Sequence, residues 1–253
     1  MANEYFKFKR FTVHQDKCAM KVGTDGTLLG AWAQAPQEPS RILDIGTGTG
    51  LIALMMAQRY PNASIVGIDI DPAAVAQARD NVTASPFADR ISIYEADICH
   101  FDENATFDSV ICNPPFFTGD LICPDKQRAV ARHTISLNYH DLISSAYKFL
   151  SANGRFSVII PSESQSNFES EALMGGFYLS RLCRVKTIPV KKPKRCLIEL
   201  RKLPVSEFVN TCEVIETNPG IRSDWYKELT RQARFQTTRQ TTTLYAGRFR
   251  QRR

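Results

Sequence analysis

One stretch constrains the architecture more than any other. Arg41-Ile42-Leu43-Asp44-Ile45 runs without a break into Gly46-Thr47-Gly48-Thr49-Gly50. The apolar run reads as a buried strand. Glycine at alternate positions permits a tight turn and lets a ligand come close to backbone. Residues 50–60 then place Leu51, Leu54, Met55 and Ala57 on one side, the spacing of a helix. The same alternation continues. Residues 64–69, 91–94, 107–112 and 155–160 read as further strands, with helices expected between the early strands and over 139–150 and 162–174. Asp71 and Pro72 suit the N-cap and first position of a helix reaching about Ala84. The expectation is an α/β fold, a mostly parallel sheet with helices on both faces. Residues 178–190 and 196–201 predict a late antiparallel hairpin turning at Lys191-Lys192-Pro193-Lys194. On this reading 1–40 form a cap or lid, 41–203 the main domain and 204–253 a basic extension without clear periodicity past Thr217.

Composition narrows the function. A hydrophobic content of 43% is enough for a real core. The first residues contain no long apolar stretch, and no run reaches the length of a membrane span, so the expectation is a cytoplasmic protein without a membrane partner. The seven cysteines are scattered, no two in a C-x-x-C spacing, and the four histidines complete no zinc pattern. Reduced thiols and no metal follow. Charge is uneven: of the net +6, residues 222–253 carry +7 and the rest of the chain −1. Inside that neutral body sits a second basic cluster, Arg181, Arg184, Lys186, Lys191, Lys192, Lys194, Arg195, Arg201 and Lys202, opposed only by Glu199. Two such concentrations favour a polyanionic partner, with a solvated surface and tail as the alternative.

Two places carry the chemistry. Asp69 closes the second strand, where an acid can accept both hydroxyls of a ribose; Asp71 is its rival, although a cap role suits Asp71. Asn113-Pro114-Pro115-Phe116 closes the fourth strand. Pro114 holds Asn113 extended, and two prolines give fixed φ without N–H donors. The Asn113 side-chain oxygen and the Pro114 carbonyl can each accept one N–H of an NH2 group, directing its lone pair. Phe116 offers a face for a planar group. Ordinary turn chemistry is the alternative.

The spacing G-x-G-x-G with an acid two residues before it resembles motif I of class I methyltransferases, rather than the G-x-G-x-x-G of a dinucleotide site, where Leu51 would have to be glycine. The resemblance implies S-adenosylmethionine as cofactor and a Rossmann-like seven-stranded sheet. It implies Asp44 ordering the glycine loop and the methionine ammonium, and Gly46, Gly48 and Gly50 around the cofactor. It also implies Asp97 reading the adenine amino group, a loop cap being the alternative there. Asn113-Pro114-Pro115-Phe116 resembles the [D/N/S]-P-P-[Y/F/W] motif of amino-methyltransferases, which act on adenine N6, cytosine N4 or a glutamine amide. The block from Met20 to Trp32, Ala131-Arg132-His133 and the Lys194-Arg195 pair are similar to the bacterial tRNA1(Val) adenine-N6-methyltransferase family. That resemblance implies a tRNA partner, the adenosine 3′ of the anticodon as target, and Thr24 and Asp25 near the cofactor. Lys191, Lys192, Lys194 and Arg195 are the candidate RNA contacts. Residues from Arg231 onward depart from the family's usual ending.

Other readings stay open on sequence alone. Glutamine methylation on a translation factor more often comes with tyrosine at the Phe116 position. DNA adenine methylation usually brings a larger recognition domain than this chain has room for, and rRNA is a further adenine-bearing target. A catalytically silent RNA-binding protein would not need Asp44, Asp69 and Asn113 together.

Overall fold

The computed structural model describes residues 4–18, 21–36, 38, 40–115 and 137–231. The apolar runs become neighbours in one eight-stranded sheet. Its strands are β3 (Arg41–Ile45), β4 (Ser64–Asp69), β5 (Ile91–Glu95), β6 (Phe107–Cys112), β7 (Leu150–Pro161), β8 (Tyr178–Lys186), β9 (Arg195–Arg201) and β10 (Val209–Val214). They lie in the order β10-β8-β9-β7-β6-β3-β4-β5. Within this sheet β9 alone runs against its neighbours. Two short ribbons flank the sheet, β1 (Tyr5–Lys7) with β2 (Thr12–His14), and β11 (Glu216–Asn218) with β12 (Ile221–Arg222).

Helices cover both faces. On one lie α1 (Thr24–Trp32), α2 (Leu51–Arg59) and α3 (Pro72–Thr83), packed around Leu28, Leu29, Leu54, Met55 and Val75. On the other lie α4 (Tyr139–Phe149) and α5 (Gln165–Met174), packed around Leu142, Phe149, Phe156 and Phe168. Central strands are therefore buried on both sides, which is why they read as continuous apolar runs rather than alternating ones. Gly30 lets α1 settle on α2, since a Cβ there would stand 2.7 Å from Met55 Sδ. Residues 8–35 contribute Phe8, Phe11, Val13, Leu28 and Trp32 to the same core as α2 and α3.

The sheet departs from the seven-strand expectation. Its eighth strand, β10, pairs in parallel with β8 at the edge. β10 is largely exposed, so it lacks the apolar signature of the inner strands. β7 begins at Leu150 rather than Arg155, with a register irregularity where it meets β6. Beyond Thr217, where no periodicity is visible, the chain forms β11, β12 and α6 (Asp224–Leu229). A helix this short shows too few turns for a pattern. Ser223 caps it by accepting the Tyr226 N–H, and Tyr226 is buried with Trp225 and Leu229 packed beside it.

The second basic cluster is not one exposed surface. Glu199, 1% exposed, takes ion pairs from Arg155 at 3.3 Å and Arg181 at 2.9 Å and a hydrogen bond from Ser180 at 2.8 Å. The Arg181 guanidinium also lies 3.9 Å from the Trp32 ring centre. Removing Glu199 would strand two charges, so this pair belongs to the packing of β7, β8 and β9 against the end of α1. Lys191, Lys192 and Lys194 do stand exposed at the β8–β9 turn.

Candidate active site

The carboxyl ends of β3, β4 and β6 converge with the loop before α2. Gly46, Gly48 and Gly50 have φ of 67°, 57° and 79°, a region that favours glycine. Gly50 caps α2, and a Cβ on it would also meet Ala78 of α3 at 3.4 Å. A Cβ on Gly46 or Gly48 would meet no described atom within 4 Å. The space it would enter is open: both glycines line two cavities, one of about 460 Å³ and one of about 370 Å³. The larger cavity is walled by Ile45, Ile68, Ile70 and Ile98, with Asp69, Asp71 and Asp97 among them. The smaller is walled by Lys21, Thr24, Asp25, Thr47, Thr49 and Arg195. Asn113 and Pro114 stand in the walls of both, and Pro115 in the wall of the larger.

Asp44 sits beneath the loop, fully buried. Its Oδ2 accepts the Thr47 hydroxyl at 2.7 Å and the Ala53 N–H at 3.1 Å, which ties the loop to the first turn of α2. Its Oδ1 meets no described donor, and burial pushes the carboxyl pKa up to about 7. Asp44 lines neither cavity; its contacts are with the loop. Asp69 accepts the Gly48 N–H at 2.8 Å through Oδ2 and the Asp71 N–H at 3.0 Å through Oδ1. Each carboxylate oxygen has a second lone pair, so Asp69 keeps acceptors for a ligand. Asp71 accepts the Ala73 N–H at 2.9 Å as the cap of α3, and it too lines the larger cavity. Asp97 accepts the Cys99 N–H at 3.0 Å and faces His100 Nδ1 at 3.0 Å. The Cys99 N–H, with His100 behind it, lowers the Asp97 pKa. Its geometry is that of a loop cap, and it also borders the cavity.

Thr24 and Asp25 open α1 on the wall of the smaller cavity. Asp25 Oδ2 accepts Arg195 Nε at 2.8 Å, so the cofactor candidate and an RNA candidate are partners across the chain. Lys191, Lys192 and Lys194 line neither cavity. The decisive atom is Asn113 Oδ1. It is buried and accepts no hydrogen bond from any described residue. An unmet buried acceptor costs roughly 1–3 kcal/mol and marks a place where a donor is expected. Cys112 before it has its pKa raised well above normal by burial, so the thiol stays neutral. Phe116 and Ala131-Arg132-His133 lie outside the described residues, as does Met20.

Sequence reasoning missed Cys18, Cys99 and Asp141, which also border the larger cavity. Nothing local marks them, because they arrive there through tertiary folding alone. The six described cysteines are free. Among the described residues no group of His, Cys, Asp and Glu gathers as a metal site, and no helix is long and apolar enough to cross a membrane.

A family model described as the methyltransferase small domain matches residues 23–179. A tRNA1(Val) (adenine(37)-N6)-methyltransferase of Phocaeicola vulgatus is 50% identical over 232 residues, covering 92% of this chain and 98% of that protein. Another so named, of Bacteroides thetaiotaomicron, is 45% identical over 236 residues, with the same coverage of 92% and 98%. Among solved structures, a predicted O-methyltransferase of Agrobacterium tumefaciens matches with a TM-score of 0.63 at 20% identity, over 83% of this chain and 97% of its own, a likeness of fold. The apolar ends of β3, β4 and β6, the glycine loop and Asn113 at the junction of two cavities thus sit in a sequence that belongs to the methyltransferase small-domain family and, within it, to the tRNA1(Val) (adenine(37)-N6)-methyltransferases.

Proposed function

We propose that this protein transfers the methyl group of S-adenosylmethionine to N6 of adenosine 37 in tRNA1(Val), acting in the cytoplasm. The observation that carries the reading is Asn113 Oδ1, a buried acceptor without a described donor, at the wall shared by the two cavities. The residues present fit the cofactor. Gly46 and Gly48 leave open the space that side chains would fill, and Asp69 brings spare acceptors to an apolar cavity suited to a nucleoside. When bound, S-adenosylmethionine supplies an electrophilic methyl group on sulfur.

Asn113 Oδ1 and the Pro114 carbonyl each accept one N–H of the target N6. That double acceptance turns the conjugated lone pair out of the ring plane, toward the methyl donor. Pro114 and Pro115 offer no competing N–H. N6 gives up its proton to solvent only once the new C–N bond makes it acidic, so the chain needs no strong base. The acceleration comes from positioning and fixed dipoles. A base in a loop is already unpaired, which lowers the cost of bringing it in. Lys191, Lys192 and Lys194 hold phosphates beside the site, with Arg195 linking that turn to Asp25.

Tritiated methyl transfer from S-adenosylmethionine into total tRNA from cells lacking the protein tests the reading. Label is expected as N6-methyladenosine in hybrid-selected tRNA1(Val). Asn113→Ala is expected to cut incorporation on the order of a hundredfold or more while binding cofactor as before. No label in tRNA from protein that binds the cofactor, or full activity of the variant, overturns it.

A further inference from the structure

We propose that Asn81 is a positioning residue for the cofactor, holding the N-terminal segment against the glycine loop and so completing the walls of both cavities. The inference rests on the reading that those cavities take S-adenosylmethionine.

Asn81 lies on α3, 1% exposed, with every bond running to another part of the chain. Its Nδ2 donates to the His14 carbonyl at 2.8 Å and to the Thr49 carbonyl at 2.9 Å, and its Oδ1 accepts the His14 N–H at 2.8 Å. Thr49 stands between Gly48 and Gly50, and His14 ends β2. One side chain therefore joins the N-terminal ribbon to the glycine loop. One turn earlier on the same helix face, Gln77, also 1% exposed, accepts the Lys17 N–H at 2.8 Å. The next residue, Cys18, lines the larger cavity. Gln15, 3% exposed between those two anchors, accepts the Val22 N–H at 2.6 Å, and Val22 lines the smaller cavity. Fixed positions on α3 thus pass through His14–Lys17 contacts to both cavity walls.

The polarity of this face needs a reason. Its neighbours Ala74, Val75 and Ala78 are buried and apolar, whereas Gln77 and Asn81 carry amides into the same buried face. Two buried amides are kept there because their partners are main-chain groups of the loop and of the N-terminal segment. The bonds set where those backbones lie, and that placement is what a cofactor meets.

The test compares Asn81→Leu, close in size and unable to make the bonds, with Gln77→Met and with Ser85→Ala as a control. Ser85 donates to the Val82 carbonyl at the far end of α3 and touches neither segment. Calorimetry with S-adenosylhomocysteine gives Kd, and tRNA methylation gives kcat and both KM values. For Asn81→Leu we expect the Kd and cofactor KM to rise about tenfold, with kcat at saturation and tRNA KM within about twofold of wild type. Gln77→Met shifts the same two quantities less, and Ser85→Ala leaves them unchanged. A purely structural role would lower kcat with the folded fraction and leave Kd alone, and that result overturns the proposal. Should Asn81→Leu not fold, an unchanged Kd in Gln77→Met overturns it as well. Wild-type protein that fails to bind S-adenosylhomocysteine would instead overturn the reading of the cavities beneath it.

Discussion

At the residue scale, two of the buried oxygens without a described donor lie around the glycine loop and differ in kind: Asn113 Oδ1 at the cavity junction and Asp44 Oδ1 beneath the loop. The first belongs to a neutral amide. The second belongs to a group that titrates. Asp44 holds its proton to about pH 7 in the folded protein, against 3.8 for an ordinary aspartate. Between those values the folded state binds more protons than the unfolded one. Stability from this source is therefore complete below pH 3.8 and is lost as pH rises through about 7. Asp44→Asn removes the titration and keeps an acceptor for Thr47 and Ala53. Thermal unfolding of the cofactor-free protein from pH 5 to 8 should show the variant gaining on wild type by a few degrees, on the order expected for a core carboxyl. Parallel curves across that range would refute the assignment. Asp44 was legible in the sequence because its acid-and-glycine spacing is local. Asn81 was not, since a lone asparagine in a helix carries no mark of the loop it will meet.

At the scale of elements, legibility followed burial. β3, β4 and β6 emerge within their expected bounds because inner parallel strands are apolar on both faces. Asp71 and Pro72 marked the start of α3 by chemistry that acts within one turn. β10 and α6 escaped notice because one is an exposed edge and the other too short to repeat. Charge counting overstated the β8–β9 region for a related reason. Arg181 is engaged by Glu199 and Trp32, and Arg195 meets Asp25, whereas Lys191, Lys192 and Lys194 stand exposed at the turn. Replacing Lys191, Lys192 and Lys194 together with alanine should reduce the slope of log affinity for tRNA against log salt by roughly 2 to 3. S-adenosylhomocysteine binding should stay as it was. An unchanged slope would move the phosphate contacts elsewhere.

At the scale of the whole molecule, the N-terminal segment, the sheet and residues 209–231 share cores rather than standing apart. Tyr226 of α6 belongs to the same buried cluster as Leu28, Met55 and Val75. Tyr226→Ala should cost about 3 kcal/mol and lower a single unfolding transition. A separate early transition, with the main one unmoved, would show the segment to be its own unit. Direction of travel in the sheet has a further consequence. Because β9 alone runs backward, its start and the end of β8 emerge on the edge where β3, β4 and β6 finish. The turn between them is tied down at both ends: the Lys194 carbonyl accepts the Ser162 N–H at 3.1 Å and the Thr187 carbonyl accepts the Glu216 N–H at 2.9 Å. Arg195, the first residue of β9, reaches from that turn to Asp25 at the start of α1, so the late hairpin and the N-terminal segment meet at the wall of the smaller cavity.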